Sequence, residues 1–147
     1  MSNATMRKFG HPRTVVAETA HWTVLIRPQQ VTLGSLVLAC REPATAFGQV
    51  SAAAFADLQS AVAGVEAMLK SVVSYSKINY LMLMMVDPDV HFHVIPRYEG
   101  TRRFEDLEFP DAGWPGPPAL GTAVEPDPAA LDRIAAALRA QWNGPAA

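Results

Sequence analysis

The residues best equipped for chemistry lie in Asp89-Val90-His91-Phe92-His93-Val94-Ile95-Pro96-Arg97, where two of the four histidines stand two positions apart. On an extended strand side chains alternate between faces. Asp89, His91 and His93 then share one face at intervals of roughly 6.5–7 Å, and Val90, Phe92 and Val94 point into a core. A neutral imidazole, with an unperturbed pKa of about 6.5, is a competent nucleophile towards phosphorus at neutral pH. A second imidazole can hold its tautomer or protonate a leaving oxygen. A carboxylate can accept the imidazole N–H and stabilise the imidazolium, a role open to Asp89, which could equally do no more than close the Asp87-Pro88-Asp89 turn. Asp89, His91 and His93 could instead ligate zinc or iron, but they span roughly 13 Å on a straight strand, so such a site needs a bend before it. A third reading is a surface strand with two solvated histidines and no catalysis.

The elements that must position these residues can be read from pattern. Trp22–Arg27 is rich in β-branched and aromatic residues, ends at Pro28 and reads as a strand. Leu33–Cys40 reads as a second strand antiparallel to it, and Thr14–Ala17 as a short strand before both. Ser51 can cap a helix whose apolar stripe runs through Phe55, Leu58, Val62, Val65, Met68, Leu69 and Val72. Lys77–Val86 and Val90–Tyr98 read as two strands joined tightly at Asp87-Pro88-Asp89, with Leu81–Met85 in the sheet core. Residues 99–127 read as a long wrapping segment, with Trp114 as a packing anchor and Arg102-Arg103 as a solvated pair. Asp127 and Pro128 open a last helix with the stripe Leu131, Ile134, Leu138 and Trp142. Residues 1–13 read as a loose arm. The expected fold is α+β, one domain over residues 1–147: an antiparallel sheet of about five strands with the long helix and the C-terminal helix packed on it.

Composition bounds the function. The 147 residues are 50% hydrophobic and 18% charged with a formal net charge of -2, so no basic surplus exists to grip long nucleic acid. The single cysteine, Cys40, excludes an internal disulfide and reads as a small buried hydrophobe. No apolar stretch reaches the roughly 18 residues of a bilayer span, and the N-terminus lacks the apolar core of a signal peptide, so a cytoplasmic protein without a membrane partner is expected.

The segment His91-Phe92-His93-Val94-Ile95-Pro96-Arg97 resembles the second half of the motif of the histidine-triad (HIT) superfamily, in which three histidines alternate with hydrophobic residues. Leu33-Gly34-Ser35-Leu36-Val37-Leu38 resembles that family's earlier strand, and a long helix separates the two, as it does there. The resemblance covers roughly residues 22–98. It implies hydrolysis or transfer at the α-phosphorus of a nucleotide, with dinucleoside polyphosphates and nucleoside phosphoramidates among the substrates, and it implies a homodimer. His91 falls on the nucleophile and His93 on the third histidine. Asn79 falls near a phosphate-contacting residue. Three positions depart: Asp89 replaces the first histidine, Ser35 an earlier nucleotide-site histidine, and Arg27 a ribose-binding Asp or Asn. The approach to the motif, Leu81–Met85, is apolar where the family carries glycine and glutamine. A divalent cation is left open as a cofactor. A catalytically weak nucleotide-binding protein is the alternative that the missing histidines raise.

Overall fold

The computed structural model describes residues 2–147. Its elements are α1 (Ala4–Lys8), β1 (Val15–Glu18), β2 (Trp22–Ile26), β3 (Leu36–Cys40), α2 (Ala52–Val73), β4 (Lys77–Leu81), β5 (His91–Arg97), β6 (Thr101–Phe104), β7 (Leu107–Pro110) and α3 (Pro128–Gln141). The first five strands form one antiparallel sheet in the order β1-β2-β3-β5-β4, and β6 and β7 form a separate hairpin. The α+β architecture is as the sequence pattern predicts. The hairpin is not: the turn at Glu105, with φ of 54°, carries no glycine signal, so residues 99–127 read as featureless.

Register decides which side chains share a face. Leu36 pairs with Val94 and Leu38 with Phe92, and these residues join Trp22, Val24 and Ile26 in the main core beneath α2 and α3. The alternate positions Leu25, Val37 and Ala39 face the other way and form a second, smaller core with Met6 and Phe9. The N-terminal segment is therefore no loose arm. Asn3 caps α1 by accepting from the Met6 amide, and Met6 and Phe9, three residues apart, both point at the sheet.

Helix α2 begins at Ser51, which accepts from the Ala54 amide, but its buried stripe is rotated from the one the large residues suggest. Ala54, Ala61, Gly64, Val65, Met68, Leu69 and Val73 are buried, while Phe55 is 41% exposed. Small residues let neighbours approach: the Trp22 indole donates to the Ala54 carbonyl at 2.8 Å, and a Cβ on Gly64 would lie 2.6 Å from the Trp142 ring. At 22 residues α2 is long and apolar enough to cross a membrane by length and composition, which the run-based reading missed. Here that stripe is occupied by the sheet and α3, and Asp57, Glu66 and Lys70 interrupt the remainder. Asp127 caps α3 by accepting from Ala130, with Pro128 in the first turn.

Arg102 donates to the carbonyls of Val73 and Ser74 at the end of α2 and lies 4.4 Å from the Tyr98 ring centroid. It is a helix-terminating residue and not a solvated one, as favourable dipole and carbonyl contacts at a helix C-terminus dictate.

Candidate active site

Strand β5 brings the histidines out on the face away from α2. Ala39 is opposite His91 and Val37 opposite His93, so both rings emerge beside the second core. Their centroids are 5.1 Å apart at an interplanar angle of 82°. Phe9 covers them, its ring 6.2 Å from His91 and 5.8 Å from His93.

The His91 Nδ1 lies 2.7 Å from the main-chain carbonyl oxygen of Asp89. A carbonyl can only accept, so Nδ1 carries the proton and Nε2 keeps its lone pair in the neutral ring. Burial, with Arg27 and His91 adding to it, pushes His93 down to about 4. His93 is therefore neutral at pH 7, and its Nδ1 is buried without a partner. A role in protonating a leaving oxygen at neutral pH does not fit this environment; orientation of the bound group does.

Two cations stand beside the pair. Lys8 Nζ is 2.9 Å from Asp87, which ties α1 to the loop before β5. Arg27, at the end of β2, stacks near Phe9 at 6.0 Å and donates to the Gln29 carbonyl. Its Nε is buried without a partner, and burial presses its pKa below the ordinary guanidinium range. A cation desolvated in this way is improved by an anion. The two cations, the histidines and residues 83–87 line a cavity of about 280 Å³. A second cavity of about 240 Å³ shares Lys8, Phe9, Arg27 and Gln29 with it and is also lined by Pro28 and Glu125.

Of the residues the sequence nominates, His91, His93 and Arg27 come together. Asp89 does not join them through its side chain: the carboxylate accepts from the Thr5 amide at 3.2 Å and the Thr5 hydroxyl at 2.9 Å. The orienting group for His91 is the Asp89 backbone, because β5 begins only at His91 and the turn before it directs the carboxylate to α1. Ser35 is fully buried; its hydroxyl accepts from the Thr32 amide and donates to the Thr32 carbonyl, closing the turn in which Gly34 has φ of 85°. Asn79 accepts from Arg97 at 2.8 Å and lies outside the histidine cavity. The side chains of Asp89, His91 and His93 consequently do not converge on one point, and the described residues contain no cluster of three or more His, Cys, Asp or Glu side chains placed to bind a metal.

Pattern reading misses Lys8, Phe9 and Gln29, and within Leu81–Met85 it misplaces Leu83 and Met85, which are exposed, whereas Leu81 ends β4 and Met82 and Met84 pack against the main core. Strand β4 stops at Leu81, and the chain leaves the sheet instead of continuing to Val86. The Met6/Phe9 spacing after an Asn cap was the available signal for α1; nothing local marks the β4 exit. A larger cavity, about 600 Å³, lies by β4 and Trp114 rather than at the histidines. Two cations line it: Lys77 is exposed to solvent, and Arg97 is already held by both oxygens of Asp111, by Asn79 and by the Gly116 carbonyl.

No family model and no curated protein sequence matches the chain. Solved structures do. A histidine triad protein from Bradyrhizobium japonicum superposes with a TM-score of 0.75 at 21% identity, covering 97% of both chains. A histidine triad protein from Sinorhizobium meliloti gives 0.70 at 21% identity over 94% of this chain and 93% of that one. A zinc-bound histidine triad family protein from Mycobacterium smegmatis gives 0.63 at 13% identity over 93% and 91%. The chain has the histidine-triad fold.

Proposed function

We propose that the chain is a member of the histidine-triad superfamily acting as a nucleotide hydrolase or nucleotidyl transferase at an α-phosphorus, with His91 as nucleophile. The observation that carries this reading is the 2.7 Å contact from His91 Nδ1 to the Asp89 carbonyl, made in a cleft that also holds Arg27 and Lys8. It leaves Nε2 unprotonated where an anion is favoured. The lone pair of Nε2 attacks phosphorus, the bond to the leaving oxygen or nitrogen breaks, and the leaving group departs with that electron pair. Arg27, whose Nε is unpartnered, offsets the charge gathering on the phosphoryl oxygens, while Lys8 is held by Asp87 at the edge of the cleft. Water then attacks the nucleotidyl-histidine, the P–N bond breaks towards Nε2, and the water proton passes to solvent.

His91→Ala is expected to lower turnover of the best substrate, among dinucleoside polyphosphates and nucleoside phosphoramidates, by about 10³-fold or more, with folding nearly intact. Quenched reactions with α-labelled nucleotide should trap a covalent adduct on the wild-type chain only. Wild-type turnover in His91→Ala removes the covalent mechanism. A second reading, nucleotide binding with little catalysis, is favoured by one fact: His91 is only 2% exposed beneath Phe9. Tight binding without an adduct would establish it.

The homodimer that the resemblance implies is supported by the free edge of β4 and by the apolar hollow beside it between Leu38, Leu58, Val62, Tyr80 and Phe92. Phe47 and Phe55 extend that surface, 45% and 41% exposed. Sedimentation of the wild-type chain tests it.

A further inference from the structure

The three highest exposures among the large apolar side chains described fall in one stretch beside the histidines: Leu83 at 47%, Met85 at 84% and Val86 at 80%. With Met84 they line the same cavity as His91, His93, Arg27 and Lys8. Single exposed apolar residues need no explanation, whereas a contiguous set at the mouth of a charged cleft does. The loop is also specified in shape. Met84 takes the left-handed conformation, φ 51°, which costs a non-glycine residue on the order of 1 kcal/mol, and the Lys8–Asp87 pair fastens the far end.

We infer that residues 83–86 form the leaving-group subsite of the histidine cleft and receive an apolar body joined to the phosphate through an acidic oxygen, as in an aryl phosphodiester. The inference rests on His91 as nucleophile and adds the substrate class. None of these four side chains offers a hydrogen-bond donor, so a second nucleotide seated on them would have polar groups desolvated without replacement, whereas an apolar body gains by leaving water. The low basicity of His93 points the same way: the ring has no proton to give at pH 7, which suits a group that departs as a stable anion. In the step, the Nε2 lone pair forms the N–P bond, the P–O bond to the aryl oxygen breaks, and the aryloxide leaves with the electron pair and is protonated by water. Water then cleaves P–N, releasing the nucleotide and a proton and restoring neutral His91.

The test uses 4-alkylphenyl esters of adenosine 5′-monophosphate, methyl to hexyl, across which phenol acidity barely changes. kcat/KM should rise by roughly two- to fourfold per methylene over the first few carbons, approaching the factor a buried CH2 carries. The Met85→Ser, Val86→Ser double variant should flatten that slope, whatever its absolute rate. A flat wild-type series that His91→Ala abolishes overturns the apolar subsite while leaving the nucleophile standing. If no ester is turned over while a phosphoramidate or dinucleoside polyphosphate still is, the aryl leaving group is overturned and the nucleophile stands. If nothing is turned over, the nucleophile reading fails, and binding of methyl- to hexylphosphonate decides the subsite: affinity rising with chain length supports it, and equal affinities overturn it. A shift of the double variant from dimer to monomer in sedimentation would make the stretch an interface between copies and overturn it as well.

Discussion

The two faces of the central sheet are built on different principles. On one, Leu36, Leu38, Val94 and Trp22 pack beneath two long helices, and the alternating positions are filled by apolar residues. On the other, the same strands present Leu25, Val37 and Ala39, then His91 and His93, and the cover is a five-residue helix with Phe9. A helix of that length has no stability of its own. It stays because Met6 and Phe9 bury against the sheet and because Thr5 donates twice to Asp89. One face is a core that resists change. The other is a thin cover over polar groups, two of which, Arg27 Nε and His93 Nδ1, are buried unpaired. Buried unpaired groups are costly, and such cost concentrates where function requires it.

The sharpest way to break this contrast is the same substitution on both faces. Leu36 and Leu25 are both fully buried, Leu36 under α2 and Leu25 under the N-terminal segment. Leu36→Ala is expected to cost about 4–5 kcal/mol in denaturant unfolding and Leu25→Ala about 2–3, because a short helix can settle into the cavity and a helix locked between sheet and α3 cannot. Equal losses would mean the N-terminal cover is as rigid as the main core.

A smaller effect separates the cover from the chemistry. Asp89→Ala removes the single carboxylate oxygen, Oδ2, that accepts both Thr5 bonds, and leaves the backbone carbonyl that orients His91. It should cost about 1.5–3 kcal/mol, the range for hydrogen bonds to a charged group, and raise amide exchange in α1 selectively. Asp89→Asn keeps an amide oxygen able to accept both bonds, without the charge, and should lose less. If exchange in α1 is unchanged, Met6 and Phe9 hold the segment without help.

Much of this was legible in the chain. Strict alternation in Val90-His91-Phe92-His93-Val94 placed the histidines on one face because a strand has period two and one side had to be buried. Ser51, Asp127 and Pro128 located their helices because capping is local chemistry. What escaped depends on distant partners. Asp89 looked like a third site residue since spacing cannot show that Thr5, 84 positions earlier, would claim its carboxylate. Ser35 was a candidate until the 32–35 turn consumed its hydroxyl. Leu83 and Met85 read as core with their neighbours because apolar composition normally means burial, and here the sheet ends at Leu81 and only Met82 and Met84 turn back against the core.

The smallest effect is the most specific to the histidine face. His93 sits near 4 because burial, with Arg27 and His91 adding and Asp87 opposing, disfavours its charged form; in the unfolded chain it returns to about 6.5. Between those values the unfolded chain binds more protons than the folded one, so unfolding free energy rises with pH across this window. Acidification from about 6.5 to about 4 must therefore cost stability through this group, and below about 4 both states are protonated and the contribution levels off. His93→Phe removes the titration and the unpaired Nδ1 while keeping a ring against Phe9. The variant should match or exceed the wild type at low pH and approach it near pH 7. Other carboxylates also titrate in this range, so the quantity to read is the difference between the two urea midpoints at each pH from 4 to 7.5. A difference that widens as pH falls assigns the slope to His93. A constant difference means the ring protonates as freely in the folded protein as out of it, and the cover over this face is open to water.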